Sequence, residues 1–60
     1  MNALSAIEAI EFGTENYDEM VEAWQYLIDT GIVWTLQGSY GRTAAQLIGD
    51  GTCSQQGDRQ

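Results

Sequence analysis

Few residues in this 60-residue chain can do chemistry, and the missing types decide more than those present. There is no histidine, lysine or proline; the bases are Arg42 and Arg59, and the single cysteine is Cys53. Without histidine there is no Ser–His or Cys–His nucleophile pair, no imidazole base and no histidine-bearing zinc site. Without lysine there is no Schiff base and no P-loop lysine. Nine carboxylates offer pairs for acid–base work, yet none stands beside a nucleophile or a pocket that this length could build. Asp50, Thr52 and Ser54 alternate like the first ligands of a calcium loop, but Gln55 occupies the sixth position, where the loop needs glycine. Cys53 cannot form an internal disulfide and reads as an ordinary tail residue, so a disulfide-stapled secreted scaffold is excluded. The inventory predicts a protein that binds rather than catalyses, with no cofactor and no metal.

The net charge of −7 is unevenly placed. Residues 1–31 carry Glu8, Glu11, Glu15, Asp18, Glu19, Glu22 and Asp29 with no base, whereas residues 32–60 balance Asp50 and Asp58 against Arg42 and Arg59. Such a field repels phosphates and anionic lipid alike, so neither direct nucleic-acid binding nor membrane binding is expected, and a basic protein surface is the natural partner. The N-terminus has no basic region, and Glu8 and Glu11 interrupt its apolar residues, which predicts no signal peptide. The longest apolar runs, such as Ile32-Val33-Trp34, fall far short of the roughly 18 residues that suggest a membrane span. A soluble cytoplasmic protein is expected.

Three helices would have to position these residues, at about 3–12, 15–29 and 32–48, as one all-α domain over residues 1–50 with a flexible tail at 51–60. In the first, Leu4, Ile7 and Ile10 recur every third residue; Ser5 with Glu8 has capping-box spacing, Asn2 is the alternative cap, and Gly13 stops the segment. In the second, Asn16 and Glu19 form the start signal, with Thr14 as a competing cap and Asp18 and Glu19 in the first turn. Tyr17, Met20, Val21, Trp24, Leu27 and Ile28 share one face, while Glu15, Asp18, Glu19, Glu22 and Asp29 share the opposite one. Gly31 ends this helix.

The third segment supports two readings. Ile32-Val33-Trp34-Thr35-Leu36 is β-branched and aromatic, and Gln37-Gly38-Ser39 could turn a hairpin. Against this, two stripes step by three or four residues as a helix requires: Val33, Leu36, Tyr40, Ala44, Leu47 and Trp34, Gly38, Gly41, Ala45, Ile48. Each interior glycine costs a helix about 1 kcal/mol relative to alanine. Close approach of another helix to Gly38, Gly41 and Ala45 would account for them, and helix is favoured, with any kink near Gly38. Trp24 and Trp34 are expected to face each other in the core across the Thr30-Gly31 turn.

Gly38-Ser39-Tyr40-Gly41-Arg42 has the GxxG-plus-base form of a KH-type nucleic-acid clamp, but the chain is too short and its field has the wrong sign. Tyr40 and Arg42 instead form a candidate partner patch, with Asp29 or Glu22 as intramolecular mate for Arg42. Tyr26, expected to project among Glu15, Glu19 and Glu22, is a candidate anchor for a basic partner.

The run Trp24-Gln25-Tyr26-Leu27-Ile28-Asp29-Thr30-Gly31, continuing through Val33-Trp34-Thr35-Leu36-Gln37-Gly38-Ser39-Tyr40-Gly41-Arg42-Thr43-Ala44-Ala45 to Leu47-Ile48, resembles a group of very small tailed-bacteriophage proteins. These share a W/F-Q-x-L-I-D-T-G, W-x-L-Q-G-x-Y-G-R-x-A pattern and form a domain of unknown function. The match covers about 40 of the 60 residues. Gly49-Asp50-Gly51-Thr52-Cys53 departs from the more helical ending of those proteins, so an early end to the third helix is expected. The resemblance implies a phage origin and a helical domain; it carries over no catalytic residue and no ligand.

Together these readings point to a phage accessory protein in the host cytoplasm that binds a host protein of the transcription, nuclease or defence machinery. A DNA-mimic version would need a longer phosphate-like array than seven acids supply. The alternative is a homo-oligomeric structural or assembly component joined through Trp34, Gly38, Gly41 and Ala45.

Overall fold

The computed structural model describes residues 2–55. They form helices α1 (Ala3–Phe12), α2 (Tyr17–Thr30) and α3 (Gly38–Gly49), with a 3-10 turn at Ile32–Thr35 between the last two. Among the described residues there is no strand, which settles the hairpin alternative in favour of helix.

The helix starts follow from side-chain caps. The Ser5 N–H donates to Asn2 Oδ1 at 2.8 Å, so Asn2 rather than Ser5 caps α1. The Glu19 N–H donates to Asn16 Oδ1 at 3.2 Å, satisfying a donor that has no partner within the first turn of α2. Thr14 instead accepts from the Asn16 N–H at 3.2 Å, ahead of the helix, so α2 starts at Tyr17 rather than residue 15. Gly31 closes α2 in the left-handed conformation (φ 79°), its N–H donating to the Ile28 carbonyl at 3.1 Å. A residue with a Cβ would be strained there, and the reversal aims the following turn back at α2.

The third segment is not one continuous helix. Val33 is fully buried, while Leu36 (φ −86°, ψ −173°) and Gln37 (φ −57°, ψ 152°) are extended and separate the 3-10 turn from α3. The Thr35 hydroxyl donates to the Ile32 carbonyl at 2.7 Å, a local side-chain bond that closes the short turn. This break re-aims the chain so that the stripe of Val33, Leu36, Tyr40, Ala44 and Leu47 faces inward: Val33 and Ala44 are buried, and the other three pack against the core. Of the second stripe, Trp34 (49% exposed), Gly38 and Ala45 lie outward, Gly41 is half-buried and Ile48 packs against the core. The expected Trp24–Trp34 pair is replaced by Trp24 against Tyr40, ring centroids 5.6 Å apart and planes tilted by 45°.

The core comprises Ala6, Ala23, Trp24, Leu27, Ile28, Val33, Ala44 and Cys53. Leu27, Ile28 and Val33 are the largest fully buried side chains, each contributing roughly 1.5–3 kcal/mol of transfer free energy. Tyr17, assigned by its spacing to the apolar face of α2, is 70% exposed because it sits at the helix start, beyond the core.

Cys53 is a core residue and not an ordinary tail residue. Asp50 caps α3, its N–H donating to the Gln46 carbonyl at 3.0 Å, and Gly51 (φ 88°) turns the chain. The Thr52 N–H then donates to Asp50 Oδ1 at 2.9 Å and the Cys53 N–H to the Leu47 carbonyl at 3.1 Å. These bonds fold residues 50–53 back under α3, placing the thiol in the core. An ordered turn thus occupies the start of the expected tail, and its remainder, 56–60, lies outside the described residues.

Candidate interaction surfaces

Helix α2 carries an open groove of about 440 Å³, lined by Asp18, Val21, Glu22, Gln25, Tyr26 and Asp29. Steps of three and four residues put these side chains on neighbouring turns of one helix flank. Glu15, Asp18, Glu19 and Glu22 are all exposed. Asp29 is half-buried and its Oδ1 accepts from Gln25 Nε2 at 3.0 Å. Tyr26 does not project freely among the acids: it is half-buried and packs against the core while contributing to the groove wall.

A second, smaller cleft of about 180 Å³ is lined by Ile10, Glu11, Trp24, Ser39, Tyr40 and Thr43, drawing on all three helices. Burial pushes the Tyr40 phenol above its ordinary value, and the Glu11 carboxylate across the cleft pushes it the same way by opposing its ionisation. Tyr40 is thus tied to α1 and to Trp24 rather than presented to a partner. Arg42 is exposed, and its Nη1 lies 3.7 Å from where a Cβ on Gly38 would stand, so the guanidinium runs back along its own helix. Its expected mates Glu22 and Asp29 line the α2 groove instead. The expected partner residues therefore divide into two groups. Glu19, Glu22 and Tyr26 belong to α2, with Glu15 in the loop just ahead of it, Tyr40 and Arg42 belong to α3, and the groove and cleft share no lining residue.

No helix of the described chain crosses the glycine stripe. Gly38 and Ala45 are exposed, and a Cβ on Gly41 would meet only the Trp34 ring, at 3.7 Å, an ordinary contact. Among the intended packing residues only Trp24 is buried. The sequence pattern located the stripe but could not tell an inward stripe from an outward one, since both have helical period.

The chemistry available is limited. Cys53 is 4% exposed, and burial, with the charges of Asp50 and Asp29, pushes its thiol up, so it stays protonated and shielded at neutral pH. Among the described residues no group of three acids or thiols is placed to hold a metal ion, and no helix is long and apolar enough to cross a membrane.

Two features escaped sequence reasoning. Gln25 ties α2 to Ser54, and the exposed aromatic rings of Phe12 and Tyr17 stand at the α1–α2 corner. The second had a readable signal: Leu4, Glu8 and Phe12 recur every fourth residue, which defines an outward face of α1 beside its inward one.

Fold and surface define a small all-α protein whose acids are concentrated on its first two helices. The chain belongs to the family described as Domain of unknown function (DUF7417), whose model matches residues 1–60. No curated protein and no solved structure matches it.

Proposed function

We propose that this chain is a phage accessory protein that acts stoichiometrically in the host cytoplasm, binding a basic surface of a host protein without catalysis. One observation carries this reading: seven acids and no base lie in residues 1–31, and Glu8, Glu11, Glu15, Asp18, Glu19 and Glu22 among them are exposed. An unbalanced field of this kind raises the rate of encounter with a cationic surface and disfavours acidic partners. The inventory without histidine or lysine supports binding over catalysis.

The test is affinity capture from infected cells with the parent chain and with a Glu15→Gln, Glu19→Gln, Glu22→Gln variant, folding being checked by circular dichroism. A specific host protein retained by the parent and weakened by neutralisation supports the reading; equal capture by both sinks the acidic-face model.

A second reading, a homo-oligomeric structural or assembly component joined through Trp34, Gly38, Gly41 and Ala45, is favoured by the exposure of Trp34, Gly38 and Ala45. Mass measured across a concentration series separates the two, since a monomer at micromolar concentration removes the second.

A further inference from the structure

We propose that the α1–α2 corner, with Phe12 and Tyr17 as its anchors, is the contact surface for an arginine-bearing segment of a protein partner. This rests on the reading that the chain binds a basic protein, and it names where and through what chemistry. Phe12, the last residue of α1, is 83% exposed; Tyr17, the first of α2, is 70% exposed. Four residues separate them, so the two exposed residues flank the loop at 13–16 that joins the helices.

Two large exposed rings flanking one short loop offer the kind of aromatic anchor on which interfaces are built. Here the neighbouring acids decide what can cover them. Glu8, Glu11, Glu15 and Asp18 are all exposed around the corner, and residues 1–31 contain no base. A purely apolar partner would have to remove water from these carboxylates without replacing its hydrogen bonds. A second copy of the corner would set acid against acid, and anionic lipid or nucleic acid is repelled for the same reason. A guanidinium meets both demands: it stacks on an aromatic face and offers a planar fork of donors to a carboxylate. Lysine, a compact and strongly hydrated ammonium, satisfies only the charge.

The experiment titrates the full chain with a ten-residue peptide alternating arginine and serine, at low salt, following backbone amide shifts. The expected result is shifts centred on residues 8–18, weaker binding of the lysine–serine counterpart, and about tenfold weaker arginine binding by a Phe12→Leu, Tyr17→Leu variant. Leucine keeps apolar bulk and removes only the π faces; both sites being exposed, the variant should fold, which circular dichroism checks. Equally tight binding by that variant, or shifts centred on residues 22–29 instead, overturns the corner while leaving the acidic-face reading intact. Failure of both peptides to bind overturns the corner and counts against that reading as well.

Discussion

Gln25 and Ser54 exchange two hydrogen bonds: Gln25 Nε2 donates to the Ser54 carbonyl at 2.9 Å, and the Ser54 N–H donates to Gln25 Oε1 at 2.8 Å. One side-chain amide thereby mimics a backbone partner and fastens the chain beyond α3 onto α2, 29 residues earlier. Gln25 Nε2 also donates to Asp29 at 3.0 Å, so the amide has a fixed orientation. Gln25→Ala should lower stability by about 1–2 kcal/mol, the net value of two partly solvated hydrogen bonds. Because the clamp adjoins the turn that carries Cys53, the variant should also react faster with a thiol reagent in native buffer. Thermal melts and labelling rates check both; an unchanged labelling rate would mean that the turn is held without Gln25.

Cys53 gives stability a pH dependence whose sign follows from its shift. The folded environment raises the thiol above its ordinary 9.0, mainly through burial and secondarily through Asp50 and Asp29. The folded state therefore holds the proton more tightly than the unfolded state. This contribution is fully present below the unfolded value and disappears as pH rises through the folded one. Tyr40, also raised, acts in the same direction from its ordinary 10.0 upward. Cys53→Ala should cost about 1 kcal/mol near neutral pH for the lost packing. It should also flatten the fall in urea midpoint as pH rises above about 9. An identical alkaline fall in parent and variant would assign the dependence to Tyr40.

The two tryptophans should be separable by fluorescence. Trp24 is 9% exposed and packs on Tyr40, whereas Trp34 is 49% exposed. Trp34→Phe should remove the red-shifted, acrylamide-quenchable part of the emission and leave a blue-shifted, protected remainder. Its effect on stability should stay within about 1 kcal/mol, since half of the side chain is already in water. Trp24→Phe should do the reverse and cost more. Equal quenching of the two single-tryptophan variants would contradict this placement.

How much of this was legible in the sequence depends on whether a signal is local. Asn2, Asn16 and Gly31 act within a turn of the helix ends they define, and sequence spacing identified each as a helix-end signal. The core stripe of Val33, Leu36, Tyr40, Ala44 and Leu47 was legible because period reports a shared face. Period does not report which face meets the core, so Trp34 was placed inside. Nor does it register an extended pair such as Leu36-Gln37, across which the two stripes keep their spacing while the helix is broken. Cys53 and Gln25 were missed because their partners are distant: composition makes residues 49–55 resemble a tail, and only the fold brings Ser54 to α2. On the surface, charge was legible as an amount and a segment, but the exposure of Phe12 and Tyr17 depends on where the core ends.

The glycines supply the sharpest contrast between a residue kept for conformation and one that is not. Gly51 has φ 88° and open space where a Cβ would stand, so Gly51→Ala meets no clash and any cost is backbone strain. That strain is about 1 kcal/mol, and relieving it would pull on the turn that seats Cys53. Gly41 lies inside α3 without a positive φ, and its added Cβ would touch the Trp34 ring at 3.7 Å, an ordinary contact. Gly41→Ala should therefore stabilise the monomer by about 0.5–1 kcal/mol, through helix propensity and a less free unfolded chain. Paired urea titrations of the two alanine variants test the opposite signs directly. If Gly41→Ala destabilises instead, and more so as protein concentration rises, then something must press on that face from outside the monomer. A second copy would be the occupant, and the oligomeric reading would gain what the monomer's own packing does not provide.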